Sequence, residues 1–168
     1  MSYTDSLTGL ANRRALDATI AELVKPAKDA PFKLALLDLD GFKPVNDRHG
    51  HAFGDKLLRS VARRLQQHVR PLDVLTRLDD NHFGLLTLLT DLQECSPTSF
   101  KRLHEGLNLK AFKTSEGFIS LKAGISLVGM DAQSLPVTPQ TLLERANTLL
   151  PDACSSGRIN AVRLPKAQ

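Results

Sequence analysis

Leu37-Asp38-Leu39-Asp40-Gly41-Phe42-Lys43-Pro44-Val45-Asn46-Asp47-Arg48-His49-Gly50-His51-Ala52-Phe53-Gly54-Asp55 is the stretch on which the reading of this chain turns. It begins inside a short, nearly continuous apolar run, Lys33 to Leu39, which reads as a buried strand. It ends where Gly54 to Val69 takes up helical spacing, with Leu57, Leu58, Val61 and Leu65 facing inward and Arg59, Arg63, Arg64 and Gln67 facing out. Asp38 closes the strand, a usual place for a hard carboxylate ligand to Mg²⁺. Gly50 and Gly54 permit tight turns that gather polar side chains at one spot.

Outward from this stretch, Asn12 can cap a helix whose apolar face is Leu16, Ile20, Leu23 and Val24, stopping near Pro26. Pro71 biases Arg70 away from helical geometry and ends the helix that began at Gly54. Val74 to Leu78 and Phe83 to Leu89 are two strands joined by the four-residue turn Asp79-Asp80-Asn81-His82, a hairpin. Thr98 to Leu107 reads as a helix and Ile119 to Val128 as a strand. Pro139 to Leu150 is a helix with Pro at its tolerated first position. Ala161 to Leu164 is a short last strand. The order α, β, α, β-β, α, β, α, β predicts a mixed α/β domain with an antiparallel hairpin at its centre.

Composition narrows the function. A chain of 168 residues with 42% hydrophobic side chains has material for one core, and residues 1–168 read as a single domain. No run of apolar residues is long enough for a membrane span, and Met1-Ser-Tyr-Thr-Asp5 has no basic-then-apolar leader. Cys95 and Cys154 show neither metal spacing nor a disulfide framework, which fits a reducing, cytoplasmic setting. The net charge of +4 comes from 22 basic and 18 acidic residues that are interspersed. With one Tyr and no Trp there are few stacking platforms, so nucleic acid is not an expected partner.

Four blocks, in order, resemble the GGDEF family of diguanylate cyclases. Asp5-Ser-Leu-Thr-Gly-Leu-Ala-Asn-Arg-Arg14 is similar to the family's D-x-L-T-G-L-x-N-R-R entry segment. Leu37 to Asp55 is similar to [LI]-D-[LI]-D-x-F-K-x-[IV]-N-D-x-x-G-H-x-x-G-D. Arg70-Pro-Leu-Asp73 precedes the hairpin turn, as an R-x-x-D pair does in the family. Ser155-Ser-Gly-Arg-Ile-Asn160 resembles the terminal A-K-x-x-G-R-N. The resemblance implies a central five-stranded, mainly antiparallel sheet wrapped by helices. It also implies roles. Asp38 and the Leu39 carbonyl would hold Mg²⁺ over a GTP triphosphate. Asn46 and Asp55 would bind the guanine edge, since Asn donates and accepts and Asp accepts from guanine N–H groups. Lys43 and Arg158 belong to the same guanine and phosphate site. Arg70 and Asp73 would form the inhibitory site for cyclic di-GMP, Arg by a fork to guanine O6 and N7. Lys101 or Arg102 on the next helix is the candidate second cation.

The departures bear on the chemistry. The turn between Arg77-Leu78 and Phe83 stands where the family reads G-G-[D/E]-E-F. Two glycines there let phosphate approach backbone N–H groups; Asp79 and Asp80 put carboxylates in their place. Asn81 offers Mg²⁺ only a neutral oxygen, and His82 is a poor magnesium ligand. Cys154 stands at the phosphate-binding Lys, Pro151 at a usual Tyr and Lys122 at a frequent Ser. A one-residue shift would bring Asp80 to the metal position, and Asp38, Asp80 and His82 together would suit a transition metal. The expectation is a catalytically inactive domain that binds cyclic di-GMP at Arg70, Asp73 and Arg102. No cofactor is expected, and Mg²⁺ only alongside weak residual GTP binding. The partner expected besides the nucleotide is a neighbouring signalling domain or a second copy, the chain being compatible with a piece of a longer protein. The competing readings are a dimerisation or regulatory module that binds no nucleotide and an active cyclase with a non-standard turn.

Overall fold

A strand that is apolar on both faces needs neighbours on both edges and cover on both faces, and Phe32–Asp40 (β1) has all four. The computed structural model describes residues 2–23, 32–88, 100–130, 140–141, 143–148 and 159–163. Their elements run α1 (Arg13–Leu23), β1, α2 (Phe42–His49), α3 (His51–Gln66), β2 (Val74–Arg77), β3 (His82–Leu88), α4 (Lys101–Asn108), β4 (Phe112–Thr114), β5 (Gly117–Ile119), β6 (Lys122–Met130) and β7 (Ile159–Arg163). Residues 140–141 and 143–148 are helical as well.

The sheet order is β2-β3-β1-β6-β7. β1 pairs antiparallel with β3 and with β6, β2 pairs antiparallel with β3, and only β6 and β7 run parallel. This is the five-stranded, mainly antiparallel sheet the resemblance implied. Side-chain alternation along β1 sorts the core into two layers. Ala35, Leu37 and Leu39 pack with α3, α4 and Phe112 on one face. Phe32, Leu34 and Leu36 pack with Leu16 and Ile20 of α1, Leu143 and Ala146 on the other.

Several expectations are corrected in detail. The helix expected over Gly54 to Val69 is α3, which starts earlier, at His51, and is preceded by an unexpected helix, α2; the two meet at Gly50, whose φ of +88° suits only glycine comfortably. α3 ends at Gln66 instead of running to the proline: its last turn tightens as Gln67 N donates to Arg64 O at 3.2 Å and His68 N to Leu65 O at 3.0 Å, and Arg70 to Asp73 then forms a separate turn, Asp73 N donating to Arg70 O at 3.0 Å. The strand expected over Ile119 to Val128 is divided: residues 117–119 belong to a separate hairpin with β4, and β6 begins at Lys122. Three-residue strands fall below what alternation can reveal. The hairpin turn at the centre is shifted by one residue, since β2 ends at Arg77 and His82 already pairs with Asp38 as part of β3. Asn12 does cap α1, its Oδ1 accepting from Ala15 N at 3.1 Å. Val24, Cys95, Pro151, Cys154 and Arg158 lie outside the described residues, as do parts of the helix expected over Pro139 to Leu150.

Candidate functional site

Antiparallel register brings the end of β1 against the hairpin turn, with Asp38 opposite His82 on β3. The residues Asp79 to His82, which the sequence shows only as a polar interruption, therefore close over the Asp38 carboxylate and the Leu39 carbonyl. Leu39 N donates to Asn81 O at 2.9 Å. The Asn81 side-chain Nδ2 then donates to Asp38 Oδ1 at 2.9 Å and to Leu39 O at 3.3 Å. Two acceptors leave the amide no other orientation: its NH₂ must face them. His82 Nε2 lies 3.5 Å from the same Asp38 oxygen.

The second half of the turn is closed in the same way. Asp79 Oδ1 accepts from the backbone N–H of Asn81 at 3.2 Å and of His82 at 3.1 Å, and lies 2.6 Å from His82 Nδ1. These are N–H groups that a pair of glycines would have left open to an anion. One carboxylate now occupies them. Asp80 does none of this work; it is fully exposed, with Arg77 Nη2 3.6 Å away. The shifted register with Asp80 at the metal position is thus not adopted. Among the described residues no three His, Cys, Asp or Glu side chains gather as a metal cluster, so Asp38, Asp80 and His82 do not form one.

The family's metal can be tested against these residues. Mg²⁺ takes oxygen ligands in a near-octahedral set. Asp38 and Leu39 supply two oxygens, but the third group is an amide NH₂ and the fourth an imidazole nitrogen, and both point at the oxygens a cation would need. The donor set does not fit Mg²⁺.

The turn is held from behind by a residue outside the hairpin. Arg77 Nη1 pairs with the Asp5 carboxylate at 3.2 Å, and Arg77 Nε donates to Asp79 O at 3.2 Å. Asp5 also accepts from Thr8 N at 2.9 Å and Thr8 Oγ1 at 2.7 Å. Burial would raise the Asp5 pKa, but the Thr8 hydrogen bonds and the Arg77 charge overcome it and hold the carboxyl below its ordinary value. Asp5 is the supporting residue that sequence reading passed over: the entry segment read as a helix start, with no periodic signal linking it to Arg77.

On α2 and α3, Asn46 packs against Gly54 so closely that a Cβ there would meet Asn46 Oδ1 at 1.7 Å. That Oδ1 is buried and has no hydrogen-bond partner. A buried acceptor without a partner is unusual. Asp55, on the next residue of α3, is exposed, as is Lys43 on α2. Asn46 and Lys43 are thus on α2 and Asp55 on α3, either side of the Gly50 bend.

At the far end of α3, the Asp73 carboxylate is only 6% exposed and accepts from Arg70 N at 2.8 Å, with Arg70 Nε 3.6 Å away. Asp73 shapes the loop, and the Arg70 guanidinium, 54% exposed, is what faces outward. Arg102 and Lys101 are both on α4, exposed, but they differ: Lys101 pairs with Glu105 at 3.8 Å, whereas Arg102 faces His68 near the end of α3. Packing of the His68 ring edge against Gly106 desolvates it, and the charges of Arg102, Arg64 and Lys110 add to that, lowering its pKa. Arg64 fastens α3 to the far end of α4, donating to the carbonyls of Gly106 at 3.1 Å, Ala111 at 3.0 Å and Lys110, with its guanidinium 3.5 Å above the Phe112 ring.

Comparison with known proteins agrees with this architecture. The model for the family described as diguanylate cyclase, GGDEF domain, matches residues 2–160. The chain is 34% identical over 164 residues to the response regulator PleD of Caulobacter vibrioides, covering 96% of this chain and 36% of that protein. It is similar to the solved diguanylate cyclase SiaD of Pseudomonas aeruginosa, in complex with its activator SiaC, at 32% identity and a TM-score of 0.81 over 96% of this chain and 62% of that one. It is also similar to the coiled coil and GGDEF domain of DgcB from Caulobacter crescentus in complex with c-di-GMP, at 26% identity and a TM-score of 0.74 over 95% of this chain and 85% of that one. The chain spans about a third of the length of PleD, 36%.

Proposed function

The chain belongs to the GGDEF family, and from that premise we propose that it is a catalytically inactive member acting in cyclic di-GMP signalling, binding cyclic di-GMP through Arg70 and Arg102 on a loop shaped by Asp73. The observation that carries the first half is the closed turn. Phosphate would need the N–H groups that Asp79 already occupies, and a divalent cation would need the oxygens that Asn81 already bonds. Condensing two GTP molecules requires both, so the reading excludes turnover. The second half rests on the outward Arg70 guanidinium and on the exposed Arg102 of α4, whose charge is felt by His68 beyond the end of α3. The c-di-GMP complex of a relative supports the ligand class.

One observation favours a second reading. The Asp73 carboxylate is only 6% exposed and already accepts from Arg70 N, so it presents little surface to a guanine. A domain of this kind can instead regulate a neighbouring domain or a second copy without nucleotide. Calorimetric titration with cyclic di-GMP separates the two. Heat from the native chain, with affinity about tenfold to a hundredfold lower in Arg70→Ala, is expected from loss of one guanine fork. No heat from the native chain sinks the receptor reading. Incubation with GTP and Mg²⁺ followed by chromatography addresses the other half: any cyclic di-GMP formed overturns inactivity. Weak GTP binding that does not need Mg²⁺ would require Asn46 to turn its buried, unpartnered Oδ1 out from against Gly54.

A further inference from the structure

The stripe of α3 that carries Phe53, Lys56, Ser60 and Arg63 meets the β4–β5 hairpin in a groove of about 350 Å³. Four cations line it: Lys56, Arg59 and Arg63 from α3, and Lys113 from β4. Among the described residues no carboxylate lines it, and none of the four forms an ion pair. Arg59 Nε reaches only the Leu7 carbonyl, at 3.3 Å, and Arg63 Nη2 the Ser60 hydroxyl, at 3.1 Å. Some cations elsewhere do find acids, as Arg13 does with Asp17 and Lys101 with Glu105. A solvated helix face would also carry unpaired cations, but it would not draw a fourth from a separate hairpin into the same concavity. Like charges on a concave wall focus the field and raise the local concentration of anions.

The remaining lining sets the kind of anion. Ser60, Thr114 and Ser115 add neutral hydrogen-bonding groups suited to phosphate oxygens. Phe53, half-buried with its ring 4.6 Å from that of His49, gives one end a flat apolar surface. Neither the turn nor its neighbours contribute: Asp38, Asn46, Asp55, Arg70 and Asn81 do not line the groove. The volume is that of a small-molecule site, which begins at about 300 Å³.

We infer that this groove binds a phosphorylated small molecule bearing at least two negative charges, its phosphates on Lys56, Arg59, Arg63 and Lys113 and a planar portion against Phe53. The test is a ¹H–¹⁵N spectrum of the native chain titrated with inorganic pyrophosphate and, separately, with ATP, ionic strength being held with chloride. Saturable shifts are expected at Ser60, Arg63 and Lys113 to Ser115 with both, and at Phe53 with ATP alone. Arg63→Gln should weaken binding at least about tenfold, as loss of a charge-assisted hydrogen bond does. Arg63→Glu with Lys113→Glu should abolish the shifts while the spectrum stays that of a folded chain. Arg70→Ala should leave them intact, which separates this groove from the cyclic di-GMP site. Shifts that rise linearly without saturating, or that survive the double substitution, overturn the inference. A polyglutamate peptide saturating the same amides at lower concentration than either phosphate also overturns it, since the occupant would then be an acidic protein segment.

Discussion

Asn81→Asp replaces one amide with one carboxyl and leaves the shape of the turn nearly unchanged, so it isolates what the Asn81 NH₂ does. In the native chain that group donates to Asp38 Oδ1 at 2.9 Å. In the variant an anion faces an anion at the same distance. Two unit charges 2.9 Å apart repel by about 6 kcal/mol at an effective dielectric of about 20. Asp38 is partly exposed, and the side chains can rotate apart, so most of that is screened or relaxed. Loss of the charge-assisted hydrogen bond adds about 1.5–3 kcal/mol. A net destabilisation of about 2–3 kcal/mol is expected, which at this chain length lowers Tm by about 5–10 °C. The same substitution completes an oxygen set with Asp38 and the Leu39 carbonyl. Millimolar Mg²⁺ should therefore restore much of the lost Tm in Asn81→Asp and leave the native chain unmoved. Differential scanning calorimetry with and without Mg²⁺ measures both effects. If Asn81→Asp melts with the native chain and ignores Mg²⁺, the amide does not hold this site closed.

Three other outcomes are expected. Gly54→Ala places a methyl at 1.7 Å from Asn46 Oδ1 and should cost about 1–3 kcal/mol as Asn46 is displaced, read by urea denaturation; unchanged stability would mean the contact is not as close as described. Arg64→Ala removes donors from three carbonyls and the stack on Phe112, and should cost about 2–4 kcal/mol by the same assay, with α4 amides losing hydrogen-exchange protection first. His68 has a depressed pKa in the folded chain, so the unfolded chain binds the proton more readily. Its contribution to stability is fully present above the ordinary value of 6.5 and is lost as pH falls through the lowered one. Tm of the native chain should decline over that window more steeply than Tm of His68→Gln; parallel curves would assign the decline to other groups.

The sheet was largely legible in the residues. Apolar runs bounded by turn signals located β1, β2 and β3, and Asn12 announced α1 through the chemistry of its side chain. What escaped was whatever depends on short elements or on neighbours distant in sequence. α2 was missed because its apolar content is small and Pro44 sits within it, in the first turn where a missing N–H costs nothing. β4 and β5 were missed because three residues carry no period. At the site, residue types raised the question of how phosphate and metal could be held at the turn, but the geometry of the turn was hidden. Whether a carboxylate repels a ligand or caps its own backbone is decided by register, and Asp79 does the latter while Asp80 points away. The role of Asp5 was unreadable for the same reason: its partner, Arg77, is brought to it only by docking of the N-terminal segment along β2.

The place of β1 at the middle of the sheet has a consequence for how the chain comes off the ribosome. β1 emerges early, yet one of its two partners, β6, begins only at Lys122. Until then one edge of the most apolar strand in the domain has nothing to pair with, and its Phe32, Leu34 and Leu36 face has only α1 to cover it. Such an edge is a template for other chains. Slow translation between Leu88 and Lys122 should therefore raise aggregation in proportion to the delay, and delays after Met130 should raise it less, because both edges of β1 are by then paired and what is left open is the edge of β6 and the face that Leu143 and Ala146 cover.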